Sequence, residues 1–184
     1  LDATVQAQTI ERSSGSLSFQ ILFINFLVGA AQGAIELALR YLGRRGEGTF
    51  DISQTYIPET IGRLIAEVNA AAAFADRANE AFSRLTVDRQ NQHLEPKLRG
   101  ALGDSILQTK IVADRVALDT TSRVLEATGA RSTMQAEGFD RIWRDVRVYT
   151  LHDPVALRTR EVGHFWTRAN VPGADAELAT YHTL

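Results

Sequence analysis

Residues 57–84 read IPETIGRLIAEVNAAAAFADRANEAFSR, and this stretch decides the fold class. Ile61, Leu64, Ile65, Val68, Ala72, Ala75, Ala78 and Phe82 recur at three- and four-residue steps. That period gathers them on one face of an α-helix. Ala70 to Ala75 is alanine except for Phe74, which favours helix and permits close packing. Pro58 stands just inside the start, where a missing N–H costs little.

The flanks carry the same texture. Upstream, Ile21 to Ala31 reads ILFINFLVGAA, the most apolar run in the chain. A membrane span needs about 20 apolar residues, and this run is about half that. It contains Asn25 and is bordered by Gln20, Gln32 and Glu36. A buried bundle helix is the better reading, expected from about Leu17 to Leu42, with Ser16 as N-cap and Gly43 as the terminating residue. Downstream, Leu98, Leu102, Ile106, Thr109, Ala113, Val116, Thr120 and Val124 mark a third helix from about Pro96 to Thr128, stopped by Gly129. A short helix follows over 138–148, carrying Phe139, Ile142, Trp143 and Val146. Asp153 as N-cap and Pro154 at the first helical position then open a last helix reaching about Thr167. Arg44 to Tyr56 and Thr86 to His93 read as loops. No strand-like alternation, internal repeat or charge block interrupts this pattern. The expected fold is all-α, an up-and-down four-helix bundle with an extra short helix.

Composition narrows the function classes. The chain has 184 residues, 45% of them hydrophobic, enough to bury a sizeable core. With no cysteine, disulfides, Cys-ligated zinc, iron–sulfur clusters and thiol catalysis are excluded. Twenty Lys and Arg against 22 Asp and Glu leave a net charge of −2, so the total implies no nucleic-acid surface. A cytoplasmic location is expected, with no membrane partner. The chain opens on Leu1 and its only methionine is Met134, so a piece of a longer protein is expected. On this reading residues 1–15 are a lead-in from a missing upstream region, 16–168 the bundle domain and 169–184 a tail.

Several constellations carry chemistry. Glu161-Val162-Gly163-His164 has the Glu-x-x-His spacing of carboxylate-bridged di-iron bundles, but such a site needs two of these motifs and only one is present. A solvated helix face is the alternative, and no metal is expected. Asp140, Arg141, Arg144, Asp145 and Arg147 crowd the short helix, where Asp140 and Arg144 are spaced to pair. Arg131 follows Gly129-Ala130 at a helix end: a guanidinium fork suits a phosphate, and it also suits helix-end carbonyls. His152 is expected just ahead of a helix N-terminus, where the positive end of the dipole suits a neutral base or donor; a backbone-bonded capping histidine is the alternative. No Gly-x-Gly-x-x-Gly, phosphate loop or Gly-x-Ser-x-Gly elbow is present.

From Val124 to Phe165 the text, VLEATGARSTMQAEGFDRIWRDVRVYTLHDPVALRTREVGHF, resembles the C-terminal domain of the acyl-CoA dehydrogenase fold. Residues 16–41 resemble the first helix of that domain, so the likeness covers nearly the whole chain after residue 15. It is strongest to the flavin-dependent monooxygenase branch, the group that includes dibenzothiophene monooxygenase. Three segments carry it: Gly129-Ala130-Arg131-Ser132 resembles a flavin-phosphate turn, Arg141-Ile142-Trp143-Arg144-Asp145 a short charged helix, and Thr150-Leu151-His152-Asp153-Pro154 the segment with the active-site histidine. Two departures separate it from the dehydrogenases. Tyr149-Thr150-Leu151-His152 stands where they carry Tyr-Glu-Gly-Thr, and Arg44-Arg45-Gly46-Glu47-Gly48 departs from their Arg-x-x-Phe-Gly segment.

The resemblance implies oxygen transfer from reduced FMN and O₂ to a small, largely apolar substrate, aromatic or sulfur-containing. It implies His152 as proton donor or hydrogen-bond partner at the reacting oxygen. Arg131, with Ala130 and Ser132, would clasp the phosphate, and Arg44 is a further cofactor candidate. Reduced FMN would come from a separate flavin reductase, and the chain would form a homo-oligomer, a dimer of dimers. By itself the domain is expected to be inactive. The alternatives are an acyl-CoA dehydrogenase domain using FAD and a non-catalytic oligomerisation bundle.

Overall fold

The computed structural model describes residues 3–46, 56–87 and 96–169. They form five α-helices: α1 (Ala3–Gly46), α2 (Ile57–Val87), α3 (Pro96–Thr128), α4 (Phe139–His152) and α5 (Val155–Ala169). Two 3₁₀ turns, Ala130–Thr133 and Gln135–Glu137, connect α3 to α4. No strand occurs among the described residues, as the helical periodicity required. Of the expected tail over 169–184 only Ala169 is described, as the end of α5, and the rest, with most of the two expected loops, lies outside the described residues.

Three helix boundaries differ from the sequence reading. α1 starts at Ala3 rather than near Leu17, so Ser16 is no cap and Ser13-Ser14-Gly15 is no break. A single glycine costs a helix only about 1 kcal/mol, which a helix of 44 residues tolerates. The same holds for Gly43, which lies inside α1 rather than ending it. α4 runs past Val148 to His152 because its buried face, Phe139, Val146 and Thr150, continues one turn further. α3 matches its expected span, although Leu98 is exposed.

The helices pack into two units. One gathers α1 up to Ile24, α2 from Phe74, α3 up to Ile111, and α5. Leu17, Ile24, Ala75, Ala78, Leu102, Ile106 and Leu107 are its buried apolar residues. Its interior is also rich in charge. Arg99 and Lys110 are fully buried, and the Lys110 ammonium lies 5.7 Å from the Phe23 ring centroid, a cation–π distance. Arg158 pairs with Glu161 at 2.9 Å, both side chains buried. Asp104 accepts hydrogen bonds at Oδ2 from Gln108 (2.6 Å) and from the Trp166 indole (3.1 Å), which ties α5 to α3.

The other unit takes α1 from Asn25, α2 up to Ala73, α3 from Val112, the 3₁₀ turns and α4. Its core is more apolar: Leu27, Ala31, Ala34 and Ala38 from α1, Leu64 and Val68 from α2, Ala117 and Val124 from α3, Phe139 and Val146 from α4. Tyr41 meets Phe139 edge to face at 5.9 Å, and Phe26 stacks on Tyr149 at 3.9 Å. By length and composition Gly15–Arg44 of α1 could cross a membrane. Within each unit it instead buries one face and exposes the other, as a bundle helix does.

Asp104 yields a pH-dependent expectation. Its Oδ1 is buried without a hydrogen bond, and burial raises the carboxyl pKa above the ordinary 3.8, against the lowering effect of its two donors. The folded chain therefore holds this proton more tightly than the unfolded chain. The resulting stabilisation is fully present below the ordinary value and is lost as pH rises through the folded one. Asp104→Asn keeps an acceptor for Trp166 and removes the ionisation. Its stability relative to the wild type should be highest at neutral pH and should fall as pH drops toward 3.8, read by urea denaturation across that range. A difference that does not vary with pH would mean that the carboxylate is not desolvated.

Candidate functional site

The site is built on the chain reversal between α3 and α4. Gly129 has φ 79° and ψ 174°, a backbone region open essentially to glycine alone. Its N–H bonds the Leu125 carbonyl at 2.8 Å, and the chain turns away from the helix axis there. Ser132 then folds back, its N–H donating to the Gly129 carbonyl at 3.0 Å and its hydroxyl to the same oxygen at 2.7 Å. The Thr128 and Ser132 hydroxyls lie 2.7 Å apart. Met134 bonds back to Arg131 and Glu137 to Met134, and Gly138, at φ 79° and ψ 1°, opens α4.

This wiring sorts the sequence candidates. Ser132 is fully buried, and both its donors are spent inside the turn, so its part is to shape the segment. Ala130 and Arg131 face outward. Arg131 makes no ion pair or hydrogen bond with its side chain among the described residues, which leaves its five donors for an anion. Arg44, from the last turns of α1, reaches the same segment and pairs with Glu137 at 2.9 Å. Its guanidinium also lies 5.7 Å from the Tyr41 ring centroid. The structure therefore brings Arg44 to the segment that carries Arg131, far away in sequence.

His152 sits elsewhere. It is the last residue of α4, exposed, and the 14 residues of that helix place it about 20 Å from the Glu137 end. It does precede a helix N-terminus, as expected, but it also closes α4, which the sequence reading ended at Val148, and α5 opens at Val155 and not at Pro154. Asp153, with φ −123° and ψ 87°, is the C-cap of α4, its N–H bonding the Tyr149 carbonyl at 3.4 Å, and α5 begins only at Val155. His152 thus lies at the carbonyl end of one helix as well as near the amide end of the next. The buried face that carries α4 past Val148 is the reason. Asp153 is buried, so the corner presents the imidazole and not the carboxylate.

The rest of α4 follows its charge pattern. Arg144 pairs with Asp140 at 3.0 Å, as the four-residue spacing requires. The Trp143 indole donates to the Ser122 hydroxyl at 3.2 Å and fastens the charged helix to α3. The lone Glu-x-x-His is structural at its acidic end: Glu161 is buried against Arg158 and is not on a solvated face. Among the described residues no group of three or more His, Asp or Glu is placed to hold a metal. Sequence reasoning missed the Arg44–Glu137 pair, which no spacing signals, and the Thr128–Ser132 contact, which a four-residue step hinted at.

Residues 21–156 match the family described as acyl-CoA dehydrogenase, C-terminal domain. The chain is 33% identical over 159 residues to a dibenzothiophene monooxygenase of Mycolicibacterium goodii, covering 83% of this chain and 38% of the relative. It is 33% identical over 153 residues to a probable FMNH2-dependent monooxygenase, SfnC, of Pseudomonas putida, covering 79% and 38%. The crystal structure of the dibenzothiophene monooxygenase TdsC from Paenibacillus sp. A11-2 superposes with a TM-score of 0.77 at 33% identity, over 90% of this chain and 42% of that one. That enzyme has also been solved with FMN and indole together. The chain spans 38% of the length of the curated relatives it matches.

The turn's dependence on Gly129 is open to direct test. Gly129→Ala forces a Cβ onto a backbone that L residues rarely adopt, at a cost of about 1–3 kcal/mol. Urea denaturation should register that loss with the helical circular dichroism retained. A variant as stable as the wild type would show that the turn can relax to another backbone conformation.

Proposed function

This chain belongs to the family of acyl-CoA dehydrogenase C-terminal domains, and on that premise we propose that it is the helical C-terminal part of a reduced-flavin-dependent monooxygenase. Its substrate is a small apolar molecule, aromatic or sulfur-containing, as the names of its relatives suggest. The observation that carries the reading is the last turn of α4, where Thr150 takes the position that the resemblance gives to the dehydrogenases' glutamate, the His152 imidazole is exposed and the Asp153 carboxylate is buried.

The donor set fits FMN. Arg131, ion-pair-free among the described residues and set on a turn in which Ser132 is spent on the Gly129 carbonyl, would hold the phosphate through charge-assisted bonds. Ala130 lets the backbone approach, and Ser132 keeps the turn in shape. Arg44 would join by exchanging Glu137 for the phosphate. Reduced FMN, when bound, would supply the two electrons that activate O₂ for transfer. His152 would place an imidazole N–H at the reacting oxygen and hold or deliver a proton there. FAD with acyl-CoA oxidation is the competing chemistry; among the described residues the carboxylate beside His152, Asp153, is buried.

Reduced FMN would be delivered by a flavin reductase to a cytoplasmic homo-oligomer, a dimer of dimers. α1 supports the assembly. Phe19 and Leu22, three residues apart on one face of the helix, are 57% and 62% exposed. Such a face suits a second helix. With α4 about 20 Å long, the arginine and histidine ends of one chain can serve flavins of different subunits.

Two measurements test this. In the full-length enzyme, Arg131→Ala should weaken FMN binding about ten- to a hundredfold, the loss of one charge-assisted contact. His152→Ala should keep FMN affinity and cut oxygen transfer by roughly 10²–10⁴. Product mass after supply of reduced FMN and O₂ reads the second. Acyl-CoA oxidation without oxygen incorporation would overturn the reading. Light scattering of this chain at micromolar concentration should find an oligomer, and a monodisperse monomer would remove self-association through α1.

A further inference from the structure

Arg44 and Glu137 form an ion pair that helical spacing does not explain. Arg44 Nη2 donates to Glu137 Oε2 at 2.9 Å across 93 positions of sequence. The two ends are held differently. Glu137 is the last residue of the second 3₁₀ turn, its N–H bonded to the Met134 carbonyl at 2.9 Å and its side chain only 31% exposed. Arg44 stands near the end of α1 with its side chain 62% exposed, its guanidinium 5.7 Å from the Tyr41 ring centroid. Tyr41 is buried against Phe139, the first residue of α4. The carboxylate is therefore the fixed member of the pair, and the long arginine stem is the one that can swing. Asp140, the next carboxylate along the chain, is engaged by Arg144 at 3.0 Å.

The segment from Ala130 to Glu137 thus carries or meets the guanidinium groups of Arg131 and Arg44 and the carboxylate of Glu137. An exposed guanidinium–carboxylate pair shifts an equilibrium by a factor of about five at most. A phosphate monoester carries roughly −1.5 to −2 at neutral pH against the −1 of a carboxylate, and it offers three acceptor oxygens. It can therefore draw Arg44 away, but only against a competitor already in place. We propose that Glu137 is an affinity-setting residue for the flavin phosphate, an internal competitor that holds Arg44 when the phosphate is absent and recaptures it as the phosphate leaves. This rests on the reading of Arg131 and Arg44 as phosphate ligands given above. It adds a consequence for a flavin that arrives from another protein and must leave again: Glu137 shortens the stay of the bound flavin without loosening Arg131.

The test compares FMN with riboflavin, which lacks the phosphate, on the full-length enzyme. Affinity is read by flavin fluorescence and dissociation by stopped flow. Glu137→Gln should tighten FMN binding roughly two- to fivefold, with the gain in slower dissociation and riboflavin affinity unchanged. In an Arg44→Ala background the same substitution should have little effect on FMN, since nothing is left to compete for. Weaker FMN binding by Glu137→Gln would overturn the proposal, because the carboxylate would then be placing Arg44 for the phosphate. Unchanged FMN binding would overturn it as well. So would a gain of the same size without Arg44, which would reduce the effect to repulsion between carboxylate and phosphate. Melting temperature should match the wild type, and a marked fall would make the pair a strut between α1 and the turn and not a competitor. Failure of the phosphate reading itself looks different and would take the proposal with it: the wild type would bind FMN no more tightly than riboflavin, and Arg131→Ala would change neither.

Discussion

The candidate site depends on one backbone constraint, the positive φ at Gly129. α3 is long and strongly helical, and without a residue that can leave the right-handed region it would have no reason to stop where it does. Gly129 ends it, and Ser132 folds back onto the Gly129 carbonyl with both its N–H and its hydroxyl. The turn thereby satisfies the Ser132 N–H and hydroxyl and the Gly129 N–H and carbonyl. What it leaves over is the Arg131 side chain, and that is why a phosphate-clasping role falls to Arg131 rather than to the serine beside it.

α4 inherits its position from that turn. Gly138 supplies a second positive φ, Phe139 seats against Tyr41, and Val146, Tyr149 and Thr150 carry the buried face to the last turn. The stacking of Tyr149 on Phe26 fixes that last turn against α1. His152 and the apolar side chains near it are exposed because everything on the opposite side of the helix is occupied. Rigid packing on one face is what lets a short helix hold a functional group in place on the other.

The two units solve burial differently. The one containing α4 relies mainly on aliphatic side chains and alanines, with Asp114, Asp153 and several threonines as its buried polar residues. The one containing α5 buries Arg99, Lys110, Asp104, Arg158 and Glu161. Charges taken out of water must be matched by partners, so that interior stands or falls on its pairings, such as Arg158–Glu161 and Asp104–Trp166. An apolar core tolerates an adjusted side chain more readily than a polar network tolerates a lost partner.

Much of the fold was legible in residue order alone. The three- and four-residue recurrence of Ile61, Leu64, Val68, Ala75 and Ala78 dictates a helix with one buried face, and glycine at 129 dictates an end, because both follow from local geometry. Helix limits were less legible. The beginning of α1 and the last turn of α4 extend beyond the local signals, since a long helix overrides single unfavourable residues and a buried face overrides a capping pattern. The residue types at the site, Arg131 and His152, could be named from their surroundings and from family likeness. Their availability could not. That Ser132 turns inward, that Arg44 meets Glu137 across 93 positions, and that Asp153 is buried while His152 is not are outcomes of packing. Local sequence sets which conformations a segment prefers; only the folded chain decides which side chains turn inward and which stay exposed.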